Sequence, residues 1–140
     1  MTQRTIIYVT DTDHERLWNL IERSRNGGDR ANSTYINRLK EELDQAEPVP
    51  SADVPPEVVT MRSKVRLKDL DTGEEMVYSI VFPSEANFDE GKMSILAPMA
   101  TALLGYSLAD TVEFEAPARR RRLRIEEIVY QPESSGNYDL

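Results

Sequence analysis

His14 is the only histidine in the chain and there is no cysteine, so imidazole or phosphohistidine chemistry would have to pass through that one residue. It stands at the start of an amphipathic segment, and no phosphate-cradling glycine loop occurs anywhere. A place in solvent or against Trp18 accounts for it better than chemistry. Trp18 lies outside the apolar stripe of its own helix and is expected to pack internally, because an exposed tryptophan is uncommon without a use. The densest charge is Arg119 to Arg122 with Arg124. On a strand, Arg120, Arg122 and Arg124 point one way, while Arg119 and Arg121 share a face with Leu123 and Ile125. That run reads as a solvated, edge-protecting strand or as a basic patch meeting an acidic surface. Met93, Met99 and Leu103-Leu104 read as core rather than as a ligand pocket. No nucleophile sits beside a base, and without cysteine neither a thiolate zinc site nor a disulfide can form. The expectation is a protein with no catalytic residues, no cofactor and no bound metal.

Seventeen Lys and Arg against 25 Asp and Glu leave a formal charge of -8. Phosphate binding needs a basic face, so free nucleic acid is a poor candidate for the main ligand, and a basic site on another protein is a better one. No apolar run is long enough for a signal peptide or for the roughly 20 residues of a membrane span, which makes the cytoplasm the default. Asn32-Ser33-Thr34 formally matches a glycosylation acceptor but serves better as a helix cap.

The elements that must position these residues follow from periodicity. Thr5 to Val9 is a β-branched strand with no hairpin partner nearby, expected to staple the N-terminus to the main sheet. A helix starts near Asp13, with Thr12 and Glu15 at capping-box spacing. Leu17, Leu20, Ile21 and Ser24 form one face of it; His14, Trp18 and Arg25 lie alongside, and Asn26-Gly27-Gly28 stops it. A second helix begins near Asn32 to Thr34 and carries Ile36, Leu39, Leu43 and Ala46 in 3-4-3 spacing until Pro48. The two make a stubby antiparallel coiled coil, each helix roughly 20 Å long. Its tip is Asn26, Gly27, Gly28, Asp29 and Arg30. Residues 48–56 form a proline-rich extended linker.

Beyond the linker, runs 58–70 and 75–82 flank Asp71-Thr72-Gly73 as a β-hairpin, with Met76, Tyr78, Ile80 and Phe82 on one face. A polar excursion over 84–92 leads to a strand ending at Ser94-Ile95-Leu96. Pro98 then opens a short helix with Met99, Ala102 and Leu103 as its apolar stripe, and Gly105 closes it in the left-handed conformation. Val112 and Phe114 mark a half-buried strand, Leu123 to Tyr130 a final one, and the polar tail from Gln131 is expected to fray. The division expected is a helical unit at 1–47, a linker at 48–56, a sheet domain at 57–135 and a tail at 136–140. The fold class is α+β.

Three stretches carry a family resemblance: PPEVVTMRSKV at 55 to 65, MSILAPMATALLGYSLADTVEF at 93 to 114, and EIVYQPESSGNYDL at 127 to 140. With them the chain resembles the GreA/GreB transcription factors and, within that family, the regulators of nucleoside diphosphate kinase. The resemblance implies a C-terminal domain like that of FK506-binding proteins, an antiparallel sheet around one short helix, below an N-terminal antiparallel coiled coil. It also implies a partner, RNA polymerase, bound at the secondary-channel rim on a coiled coil of the β′ subunit, and the chain itself is expected to be a monomer. The docking loop of such factors, Asp-Ser-Pro, aligns with Leu96, Ala97 and Pro98, so the implied docking surface is Leu96, Ala97, Pro98, Met99 and Ala100. Leu96 and Ala97 replace the acid and the hydroxyl of that motif. Gre factors stimulate transcript cleavage with acidic tip residues that help hold magnesium, whereas this tip has the lone Asp29 among arginines. The resemblance therefore implies a polymerase-binding regulator that competes with Gre factors without stimulating cleavage and makes no direct sequence-specific contact to nucleic acid. The alternatives are a prolyl isomerase on the sheet domain and a truncated cleavage factor.

Overall fold

The structure is a computed structural model that describes residues 7–26, 33–115 and 120–136. The chain runs β1 (Tyr8–Thr10), α1 (Asp11–Asn26), α2 (Ser33–Gln45), β2 (Glu47–Val49), β3 (Lys64–Asp69), β4 (Glu75–Val81), β5 (Lys92–Ser94), α3 (Pro98–Leu103), β6 (Thr111–Glu115) and β7 (Arg120–Tyr130). It is a mixed α+β fold, with a helical N-terminal region set against a C-terminal sheet.

β1 does not join the main sheet. It pairs in parallel with β2 in a sheet of their own, Tyr8 opposite Glu47 and Thr10 opposite Val49. Parallel neighbours need a crossover, and the α1–α2 hairpin provides it. The stretch before Pro50 is thus extended because it is a paired strand. Since the chain passes from β1 directly into α1, the helix begins at Asp11, and Thr10, not Thr12, caps it: the Asp13 N–H donates to Thr10 Oγ1 at 3.1 Å.

The main sheet has the order β5-β4-β3-β7-β6. All its pairs are antiparallel except β4 with β5. Its centre is β3 with β7, where register shifts at Lys64/Val65 and Arg66/Leu67 bend the long β7 across the core. Val65, Leu67, Ile80, Val112, Leu123 and Ile125 fill the inner face, and Lys64, Arg66 and Lys68 alternate to the other side. Met76, Tyr78 and Phe82 pack against that core as partly buried neighbours.

The helices bury their stripes in the same core. Leu17 and Ile21 of α1 and Ile36, Leu39 and Leu43 of α2 belong to one continuous apolar cluster with the inner sheet face and α3. The helical pair is therefore not a probe standing clear of a globular head. Its apolar stripe is wide enough to need a second wall besides the partner helix, and the sheet domain with α3 supplies it.

The stretch from Gln131 to Gly136 also departs from expectation, while residues 137–140 of the expected tail lie outside the described residues. Gln131 is 2 % exposed and Glu133 is 7 % exposed, so this stretch is anchored rather than frayed. The Gln131 amide donates to Pro55 O at 2.9 Å and Val58 O at 2.7 Å, and its own oxygen accepts from Ser134 N at 3.1 Å. A polar side chain with all its hydrogen bonds made can be buried without penalty, which composition alone does not reveal.

Candidate functional site

The loop from β5 into α3 is a built turn. Ser94 Oγ accepts from Leu96 N at 3.1 Å, Ala97 N donates to Ser94 O at 2.9 Å, and the Thr101 hydroxyl donates to Ile95 O at 2.6 Å. Pro98 occupies the first helical position, where its missing N–H costs nothing. Leu96, Ala97 and Pro98 are half-buried and form a lip. Met99 and Ala100 are not part of it: both turn inward, and Ala100 is wholly enclosed. The apolar face of α3 is Met99, Ala100 and Leu103, with Ala102 left half-exposed. Sequence spacing alone cannot tell the two registers apart, since α2 and β6 both press on this short helix.

After α3, Gly105 has φ of +85°. A methyl group there would overlap Ile7 Cγ2, and Gly105 O accepts from Tyr8 N at 3.3 Å. The glycine closes the helix as expected and also lets the N-terminal strand lie against the sheet domain.

A second junction lies at the base of the helical pair. Asp13 is 2 % exposed, and its Oδ2 accepts from Met61 N at 3.1 Å. Glu133 accepts from the Thr60 hydroxyl at 2.6 Å, and Thr60 is in turn within 2.9 Å of Ser63 Oγ. Burial, with the nearby Glu133 charge, pushes the Asp13 carboxyl from 3.8 up to about 7, against the lowering effect of the Met61 and Thr10 hydrogen bonds. Two buried carboxyl groups thus clasp α1, the 60–63 turn and the C-terminal turn together. Sequence reasoning missed this clasp, because its hydrogen-bonded partners lie 48 and 73 residues apart along the chain.

The arginine run divides as the strand period demands. Arg121 turns toward the core, places its guanidinium 6.0 Å from the Phe114 ring and donates to the fully buried Asp69 at 3.1 Å. The other oxygen of Asp69 takes the N–H groups of Asp71 and Thr72, fixing the β3–β4 turn. On the other face Arg120 pairs with Glu113 at 3.1 Å, Arg122 with Asp71 at 2.8 Å and Arg124 with Glu126 at 3.0 Å. Each cation of the expected patch has an acid beside it, so the three present a ladder of exposed ion pairs and no uncompensated positive field. Trp18 packs against the core cluster with Lys40 Nζ 5.9 Å from its ring, and with His14 it lines a shallow depression beside Pro48. Asn26 ends α1, and Gly27, Gly28, Asp29 and Arg30 lie outside the described residues. No group of three or more metal-ligating side chains occurs among the described residues, and no described helix is long and apolar enough to cross a membrane.

A short helical crossover clasped onto a five-stranded sheet with one small helix defines the class of fold, and the comparisons give it a family. Residues 54–130 match the C-terminal family of the transcription elongation factors GreA/GreB, and residues 6–49 match the Rnk N-terminus. The chain belongs to the GreA/GreB family and carries the N-terminus of its Rnk branch. It is 34 % identical to the regulator of nucleoside diphosphate kinase of Escherichia coli K12 over the full length of both chains. It is 30 % identical to the transcription elongation factor GreA of Magnetococcus marinus over 85 % of each. Among solved structures, a prokaryotic GreA/GreB elongation factor from Nitrosomonas europaea superposes with a TM-score of 0.71 at 35 % identity, covering 89 % of this chain and 99 % of that one. The family is one of regulators and elongation factors rather than enzymes.

Proposed function

We propose that the protein is a cytoplasmic, monomeric regulator of transcription that docks on RNA polymerase at the secondary-channel rim, on the β′ coiled coil, and competes there with Gre-type factors without stimulating transcript cleavage. The reading keeps the helical pair as a short antiparallel coiled coil, the sheet domain as an FK506-binding-protein-like unit, and the division at 1–47, 48–56, 57–135 and 136–140. The observation that carries it is the helical pair itself: α1 and α2 have 16 and 13 residues, roughly 24 and 20 Å, and share their core with the sheet domain. Such a hairpin is tethered along its length and brings one carboxylate, Asp29, in its tip sequence. Docking falls to the half-exposed lip Leu96, Ala97 and Pro98, through shape and apolar contact, since neither Leu96 nor Ala97 offers the polar group of the Gre motif.

A pull-down with core polymerase tests the reading, with Pro98→Arg as the lip variant. Wild type should be retained and displaced by excess Gre factor, Pro98→Arg should bind at least tenfold more weakly, and backtracked complexes should cleave no faster with either protein. Equal retention of both proteins refutes the lip. Absence of wild-type binding refutes the function, and accelerated cleavage refutes the non-cleaving part.

A further inference from the structure

Apart from the lip, one feature runs against the acidity of the chain. Between α1 and the turn after β4 lies an open groove of about 770 Å³. It gathers Arg16, Arg23 and Arg62 around a floor that includes Leu20 and Phe82, with Glu85 as the one acid among its described lining residues. In a protein with 25 acidic side chains against 17 basic ones, a described lining with three cations to one acid is still locally basic after the Arg62–Glu85 pair offsets one of the three.

The groove is also held in shape. Arg62 has φ of +66°, a left-handed conformation that a long side chain rarely adopts and that persists only where its surroundings enforce it. Its Nε bonds both Glu85 oxygens at 3.1 Å, its Nη2 bonds one at 2.9 Å, and the guanidinium sits 5.4 Å from the Phe82 ring. That fixes a planar fork over an aromatic floor, and its Nη1 has no protein partner among the described residues. Across the groove Arg23 is exposed and has no ion-pair partner among the described residues. Fixed guanidinium donors recognise carboxylates through paired hydrogen bonds, and an apolar floor between them suits a side chain of the segment that carries those carboxylates.

We infer that this groove, lined by Arg23 and Arg62 over Leu20 and Phe82, seats an acidic polypeptide segment of the RNA polymerase as a second contact apart from the Leu96–Pro98 lip. The inference rests on the polymerase reading above. A protein segment is favoured over a nucleic acid because the floor is apolar and the chain as a whole carries a charge of -8, which repels a polyanion beyond the groove.

Arg23→Glu and Lys64→Glu test it, because both positions are exposed, each change shifts the net charge by -2, and Lys64 lies on the sheet. Affinity for core polymerase free of nucleic acid is measured at 50 mM and 500 mM salt, after thermal melts establish that both variants are folded. Arg23→Glu should weaken binding three- to tenfold at low salt, with most of the difference gone at high salt, and Lys64→Glu should change it less than twofold. Equal effects of the two substitutions, with wild type bound, overturn the groove and leave the lip standing. An Arg23→Glu effect seen only when polymerase carries template and transcript overturns the protein occupant in favour of nucleic acid. Failure of wild type to bind overturns this inference together with the function on which it rests.

Discussion

Replacing Asp13 by asparagine removes one of the two buried carboxyl groups that clasp the helical pair while keeping an oxygen to accept the Met61 N–H. In the folded protein the Asp13 carboxyl titrates near 7 instead of 3.8, a rise of about three units, mainly because burial penalises its charge and secondly because Glu133 is close. A raised acid binds its proton more tightly in the folded state. Stability is therefore highest below about pH 4, falls as pH rises toward 7 and levels off above it. At about 1.4 kcal/mol per unit, the full cost of ionising Asp13 is about 4 kcal/mol. Asparagine carries no such cost. Urea unfolding at pH 5, 6, 7 and 8 should give Asp13→Asn within about 1 kcal/mol of wild type at pH 5, and about 2 to 4 kcal/mol above it at pH 8. Taking the difference between the two proteins removes every other titrating group from the comparison. Parallel pH curves for the two would refute the assignment of the raised carboxyl to Asp13, as would a variant advantage that shrinks with rising pH.

Two further substitutions, each with its control, test the glycine junction and the buried ion pair of the sheet. Gly105→Ala combines the left-handed cost of about 1 kcal/mol with overlap on Ile7, so a loss of about 3 kcal/mol is expected by urea unfolding, and Ile7→Ala/Gly105→Ala should lose less than the sum of the two single losses. A loss below about 1 kcal/mol would mean that β1 does not rest on this glycine. Arg121→Met takes the hydrogen-bonded cation away from the buried Asp69 carboxylate and should cost about 2 to 4 kcal/mol, whereas Arg122→Met, which removes an exposed pair, should leave the unfolding midpoint nearly unchanged in the same assay.

What could be read without coordinates is what short-range physics encodes. The β3–β4 hairpin follows from two strand-forming runs around Asp71-Thr72-Gly73, the α3 start from Pro98, and the left-handed closure from Gly105. The inward turn of Arg121 follows from the period of two along β7. What escaped is what only tertiary contact decides. Thr5 to Val9 has strand propensity whichever sheet it joins, so nothing local could announce a parallel partner 39 residues on, at Glu47 for Tyr8. Met99 and Ala100 look as available as Leu96 until α2 and β6 close over α3. Gln131 and Glu133 read as tail because a buried polar residue differs from an exposed one only in where its partners lie, and those partners are Pro55, Val58 and Thr60.

The corrected placement of the helices changes what the proposed docking can do. A hairpin free to pivot on a proline-rich linker could search for a channel after the head had bound. Here the Asp13–Met61 bond, the Glu133–Thr60 bond and the Ile7–Gly105 contact all lie at its base, and Leu17, Ile21, Leu39 and Leu43 bury its length. Once the lip is seated, the direction of α1 and α2 is set by the fold and not by diffusion. Ionising Asp13 strengthens its bond to Met61 N but leaves a desolvated charge beside Glu133, so the base loses stability as pH rises toward 7 while the apolar cluster still holds the helical pair. Competition with longer factors then follows from occupying the shared docking surface rather than from the depth of insertion, and it should persist in a protein whose tip residues 26–30 are replaced by a glycine-serine turn of equal length.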